Sequence, residues 1–178
     1  MIIQPHIYVP MFCSSVPDKI RELHEKNEKV SSLVNYDLQR EPYAGGFAGL
    51  MAEKRKAELL LSHDNVMVID WDVELLGFEN DLKPGFYVGT WKKSKNIDGF
   101  LMYKKGNQFD SMIKEYLNKI PLEYWQIFLS SKRHEVSKYP EKLYRHYNFG
   151  FGRSVKCIDT IDKKTVNTII DIKMRSYR

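Results

Sequence analysis

Two carboxylates one residue apart, Asp70 and Asp72, follow directly on the apolar run Val66-Met-Val-Ile69. Alternate side chains of an extended segment point the same way, so both acids can face one site beyond the end of a strand. A pair of hard oxygen ligands in that place suits Mg²⁺ or Mn²⁺, cations that keep some of their water and bridge the phosphates of a ligand. A cation so placed cancels charge that builds on a departing diphosphate. The plain alternative is two acids in a strand-to-loop turn. Trp71, between them, faces the other way and suits core packing better than sugar stacking.

The elements around the pair follow from the spacing of apolar residues. Ile2 to Val9 is β-branched and aromatic and reads as an opening strand, with Pro5 favouring an edge or a late start. Ser15-Val-Pro-Asp18 supplies a helix start, and Ile20, Leu23 and Val30 continue one face of a helix running to about Glu28. Ser31 to Leu38 alternates as a second strand, finishing beside Asp37. Gly45-Gly46 then breaks the chain before a second helix from Phe47 to Leu61 that carries Lys54, Arg55 and Lys56. The uninterrupted apolar character of Val66 to Ile69 predicts a central strand buried on both faces. Further strands are expected at Gly85 to Thr90 and Gly99 to Tyr103, helices at Phe109 to Ile120 and Leu122 to Ser130, and a final strand pair near Val155 and Thr168.

This order, a βαβ start, a basic helix, then a short apolar strand feeding Asp-x-Asp, resembles the GT-A-fold glycosyltransferases that use nucleotide-diphospho-sugars. Ala52 to Asp72 is similar to the family's basic helix, turn, strand and metal motif, and Asn96-Ile-Asp-Gly-Phe-Leu-Met-Tyr103 is similar to its acceptor-side strand. The resemblance covers most of the chain. It implies an α/β fold, a single domain over 1–178 with a mixed, mostly parallel sheet flanked by helices. The Rossmann-like first half, 1–103, would bind nucleotide-sugar and metal. The second half, 104–178, would bring acceptor-side helices and C-terminal strands. It further implies that Tyr8, Val9, Pro10 and Asp37 clasp the nucleotide, that Arg55 or Lys56 approaches the diphosphate, and that Asp70 and Asp72 hold Mn²⁺ or Mg²⁺. A third metal ligand would be Asp171, expected on a C-terminal strand, or His146. An inverting enzyme would take Glu123 or Asp98 as the base beside the acceptor hydroxyl, whereas a retaining one leans on the leaving diphosphate. The partners implied are a nucleotide-sugar donor, with UDP preferred, and a hydroxyl acceptor on a glycan, a protein or a lipid-linked saccharide.

Two other readings compete. Val-Ile-Asp70-Trp-Asp72-Val-Glu74 also resembles the first motif of haloacid-dehalogenase-type phosphatases, with Asp70 as nucleophile and Asp72 as acid/base. Against it, that motif normally opens the fold, Glu74 stands where a Thr is usual, and no late acidic pair follows. A basic nucleic-acid-binding module is suggested by Lys92-Lys93, Lys104-Lys105 and Lys132-Arg133, yet these pairs are scattered and leave Asp-x-Asp unexplained.

Composition limits the rest. At 178 residues the chain builds one α/β core but not two of ordinary size. A net charge of +5 suits a phosphorylated ligand, nucleic acid or an anionic membrane without choosing among them. Cys13 and Cys157 stand alone, without metal-ligand spacing, and are expected as free thiols. The N-terminus lacks the pattern of a signal peptide, and no apolar run is long enough to span a bilayer, so a cytoplasmic protein is expected.

Overall fold

A computed structural model describes residues 5–12, 16–30, 36–41, 48–92, 94–148 and 163–176. Gly45, Gly46, Cys13, Cys157 and Val155 lie outside the described residues. Strands β1 (His6–Phe12), β2 (Tyr36–Glu41) and β3 (Asn65–Ile69) alternate with helices α1 (Asp18–Val30) and α2 (Ala48–Leu60). A short strand β4 (Val73–Leu75) follows, then β5 (Gly85–Thr90) and β6 (Ile97–Lys105). Helices α3 (Asp110–Leu117) and α4 (Trp125–Ser131) come next, then β7 (Ser137–Lys138), β8 (Tyr144–His146) and α5 (Lys163–Arg175). Six strands form one sheet in the order β2-β1-β3-β6-β5-β7, and β4 pairs with β8 in a second, two-stranded sheet. The β1–β2, β1–β3 and β5–β7 pairings are parallel, while β3–β6 and β5–β6 are antiparallel. The sheet is therefore mixed and mostly parallel, as expected.

Strand alternation divides the core between the two faces. Val66 and Val68 of β3 join Tyr8, Met102, Leu60, Ile113, Trp125 and Phe128 beneath α2, α3 and α4. Met67 and Ile69 join Ile7, Val9, Leu101, Tyr103, Val73 and Tyr144 on the other face, under the small β4–β8 sheet. Every β3 residue from Val66 to Ile69 is fully buried, which is why its sequence shows no alternation.

Several boundaries moved for physical reasons. The first strand runs from His6 to Phe12, later than the expected Ile2 to Val9, and tolerates Pro10 because β3 pairs only with His6 to Tyr8. Pro10 is left a partner on the β2 side alone, opposite Gln39, so its missing N–H breaks no ladder with β3. Helix α3 stops at Leu117; Ile120, which precedes a proline, lies outside it and is 97% exposed. The expected strand around Thr168 is instead helix α5. The β-branched run Thr-Ile-Ile favoured a strand locally, but Ile169 and Ile170 fall on a helical stripe, Ile170 is fully buried, and α5 packs on α1. The Thr168 hydroxyl is absorbed by a hydrogen bond back to the Lys164 carbonyl. Among the described residues no helix is long and apolar enough to cross a membrane.

Candidate functional site

The strand directions bring one set of ends together. β3 ends at Ile69 and Asp70 follows; β6 runs antiparallel to it, so the start of β6 meets the end of β3, and Asp70 N–H donates to the Phe100 carbonyl at 2.7 Å. β5 runs antiparallel to β6 in turn, which delivers Thr90 and Trp91 to the same edge. Between Val88 and Gly89 the β5–β6 register shifts, a bulge that turns Phe100 onto the face of the β4–β8 sheet.

Asp70 and Asp72 flank a tight turn in which Val73 N–H donates to the Asp70 carbonyl. The turn is held from α1 by two polar residues on its buried face. His24 Nε2 lies 3.0 Å from the Trp71 carbonyl, and Asn27 donates to the Val73 carbonyl at 2.9 Å while accepting from Leu75 N–H at 2.8 Å. Trp71 itself packs against the second core, the packing expected of it, although residues 70–72 form a turn rather than the extended segment that the expectation assumed. On the far side of β4, pairing with β8 sets Val73 opposite His146. That register puts His146 Nε2 3.2 Å from Asp72 Oδ1, with the imidazole stacked on Phe100 at 4.1 Å and tilted against Trp91 at 4.7 Å. One ligand atom each from Asp70, Asp72 and His146 lies within 4.8 Å of the others, close enough to share a cation.

The electrostatics of the cluster are those of a partly buried acidic site. Burial raises the Asp70 carboxyl above the usual range; Lys56 opposes that shift and the neighbouring Asp72 adds to it. Burial works against charging His146, but Asp72, Asp70 and Asp98 together raise its pKa above the ordinary value. Lys56 is likewise opposed by burial, and Asp70 and Glu53 more than offset it, so its ammonium stays charged. Burial lowers the His24 pKa to about 4, so this ring is neutral at pH 7.

The other expected residues divide. Lys56 points inward and forms an ion pair with Asp70 at 2.5 Å, whereas Arg55 is half-exposed beside Glu58 at 3.5 Å. Asp98 lies at the same sheet edge, accepting from the Trp91 indole at 2.5 Å and from Gly99 N–H at 2.6 Å. Glu123 is bound to Lys119 at 3.0 Å just ahead of α4. Asp171, placed on α5 rather than a strand, is kept away from the trio because α5 packs on α1, where its charge acts on Lys19. Tyr8 turns towards the amino end of β3, stacked on His6 and within 3.0 Å of His63 Nε2; Val9 and Pro10 are buried, and Asp37 pairs with Tyr8 in the β1–β2 register. Sequence reasoning missed His24, Asn27 and Glu53. The signal for the first two was present: Ile20, Leu23, His24 and Asn27 share one helical stripe, and polar residues on an apolar stripe need buried partners.

The sequence matches no protein-family model and no curated protein. Its fold is similar to that of solved glycosyltransferases. One, involved in the glycosylation of the major capsid of PBCV-1, aligns with a TM-score of 0.50 at 13% identity over 94% of this chain and 100% of that one. Another, the apo form of GlyE from Streptococcus pneumoniae TIGR4, aligns with a TM-score of 0.51 at 12% identity over 78% of this chain. This chain spans about half, 46%, of the GlyE chain. At these identities the likeness concerns the fold: the chain carries a glycosyltransferase fold, with Asp70 and Asp72 at the carboxyl edge of its sheet.

Proposed function

We propose that this protein is a glycosyltransferase that moves a sugar from a nucleotide-diphosphate donor to a hydroxyl acceptor, with Mn²⁺ or Mg²⁺ held by Asp70, Asp72 and His146. The observation that carries this reading is the convergence of those three ligand atoms within 4.8 Å at the carboxyl edge of a glycosyltransferase-type sheet. Two carboxylate oxygens and one imidazole nitrogen form a mixed donor set that fits Mn²⁺ well and Mg²⁺ acceptably. The bound cation would neutralise charge on the leaving diphosphate.

The chain's own residues supply the rest. Phe100 and Trp91 fix the His146 ring, and Lys56 aims the Asp70 carboxylate. A cleft of about 180 Å³ lined by Thr90, Trp91, Lys92, Lys142, Arg145 and His146 opens beside the trio and offers room for a ligand. Of the two carboxylates considered as base for the acceptor hydroxyl, Asp98 acts on His146 and accepts from the Trp91 indole, while Glu123 is engaged by Lys119, so Asp98 takes that role in our reading. UDP remains the preferred donor nucleotide in this reading.

A thermal-unfolding panel of UDP, GDP, CDP and dTDP with and without Mn²⁺ tests the proposal. The expected result is stabilisation by one nucleotide that requires Mn²⁺ and disappears in Asp70→Ala and Asp72→Ala. No shift with any nucleotide would overturn it, as would Mg²⁺-dependent hydrolysis of p-nitrophenyl phosphate abolished by Asp70→Asn.

A further inference from the structure

Lys56 stands between two carboxylates. Its ammonium lies 2.5 Å from Asp70 Oδ1 and 2.7 Å from Glu53 Oε1, and donates to the Gly99 carbonyl at 3.2 Å, with only 4% of the side chain exposed. Glu53 is itself fixed by α4. Its second oxygen accepts from Trp125 N–H at 2.9 Å, and its backbone carbonyl accepts from the Trp125 indole at 3.0 Å. Glu53, Lys56, Gly99 and Trp125 thus tie α2, β6 and α4 together with Asp70 at one corner.

The charge pattern gives this corner a purpose. A buried ammonium 2.5 Å from a cation ligand aims that ligand, and it also repels the cation the ligand would hold. Glu53 makes the α2 contribution neutral, so Asp70 is oriented without the site losing its negative charge. Resting on the metal reading above, we infer that Glu53 is a positioning residue for the metal centre: it anchors Lys56 and cancels its repulsion of the cation shared by Asp70, Asp72 and His146.

The test is a charge cycle read by Mn²⁺ affinity, followed by the paramagnetic resonance signal of free Mn²⁺ with the whole chain and no nucleotide. Glu53→Gln keeps an oxygen for Trp125 N–H but leaves the Lys56 charge unopposed; it is expected to weaken Mn²⁺ binding by about tenfold or more. Adding Lys56→Met removes the unopposed charge while keeping the buried stem, and the double variant is expected to recover most of the lost affinity. A purely structural role predicts the opposite, a double variant no better than Glu53→Gln. Wild-type affinity in Glu53→Gln, or no recovery in the double variant, would overturn the inference. If Glu53→Gln does not fold, Lys56→Met and the double variant are compared instead; the Glu53 carboxylate still draws the cation once Lys56 is gone, so losing its charge there should weaken Mn²⁺ binding by about tenfold, back towards the parent affinity. Equal affinities in those two variants mean that the Glu53 charge does not reach the cation and overturn the inference. Mn²⁺ binding unaffected by Asp72→Asn, or absent in the parent, brings down the metal reading itself and this inference with it.

Discussion

Asn27 is the residue whose replacement tests most sharply how α1 builds the Asp70–Asp72 turn. It is fully buried, and its amide closes both backbone groups on the free edge of β4: Nδ2 donates to the Val73 carbonyl at 2.9 Å and Oδ1 accepts from Leu75 N–H at 2.8 Å. The opposite edge of β4 is already satisfied by β8, through Leu76 N–H to the Leu143 carbonyl and Tyr147 N–H to the Asp72 carbonyl. Asn27 therefore acts as a one-residue strand, and nothing else among the described residues is seen to bond those two groups. Asn27→Leu keeps the volume and removes both bonds, leaving two buried backbone groups unpaired. Each carries a penalty of about 1–3 kcal/mol, so a loss of about 2–6 kcal/mol is expected. For a chain of this size that lowers the Tm by about 10 °C. Urea unfolding followed by tryptophan fluorescence measures it. Asn27→Asp gives a second handle: its carboxylate still accepts from Leu75 but faces the Val73 carbonyl without a donor, and protonation restores one. The Asp variant should regain stability relative to the Leu variant as pH falls towards 5. An Asn27→Leu protein within about 1 kcal/mol of the parent would refute the claim that the amide closes the edge of β4.

Three further outcomes follow from buried polar groups and close packing. His24 titrates near 4 in the fold against an ordinary 6.5, so unfolding takes up a proton between those values; stability is level above pH 6.5 and falls as pH drops towards 4. At pH 5 this amounts to about 2 kcal/mol, and His24→Gln, compared with the parent by urea midpoints at pH 7 and 5, should flatten that part of the profile even though Asp72 and the Trp71 carbonyl still face the position. Lys104 is fully buried on β6 with its ammonium 2.6 Å from Asp110, so Asp110→Ala strands a buried charge and should destabilise by about 3–5 kcal/mol, while the double change with Lys104→Met restores most of it. At Gly99 a Cβ would sit 2.5 Å from the Trp125 Cβ, so Gly99→Ala forces α4 from β6; a loss of about 1–3 kcal/mol is expected, and a neutral result would mean that α4 shifts freely.

What was legible in the sequence was whatever is written in long periodic segments. Val66 to Ile69 announced a strand buried on both faces, and Asp-x-Asp at its end fixed two members of the cluster, because four consecutive apolar residues ending on acids admit few other arrangements. α1, α2 and α3 were visible from their stripes for the same reason. β4 and β8 were not, since three residues each carry too little pattern to separate a strand from a turn. α5 was misread because Thr-Ile-Ile prefers a strand in isolation and only packing on α1 decides for a helix. Lys56 and Arg55 are neighbours in one basic cluster; sequence expected one of them to turn inward, and the helical phase that buries Ala57 and Leu60 decides for Lys56.

The third member of the cluster shows where local reading must end. Asp70 and Asp72 are brought together by a turn two residues long, but His146 arrives from the far end of the chain, and only the β4–β8 register sets it opposite Val73. A slip of one residue would turn its side chain to the other face of that small sheet and present Arg145 or Tyr147 instead. Tyr144 and Tyr147 guard against this. The Tyr144 hydroxyl accepts from Thr90 N–H at 2.8 Å, and the Tyr147 hydroxyl bonds the Glu74 carboxylate across the strand pair. Both residues sit on β8 or just past it, so the hydroxyls that fix the register flank the imidazole they place. A pattern so short that no periodicity betrays it is thus specified by side-chain bonds to β4 and β5, and the ability to gather three ligands at one sheet edge rests on them.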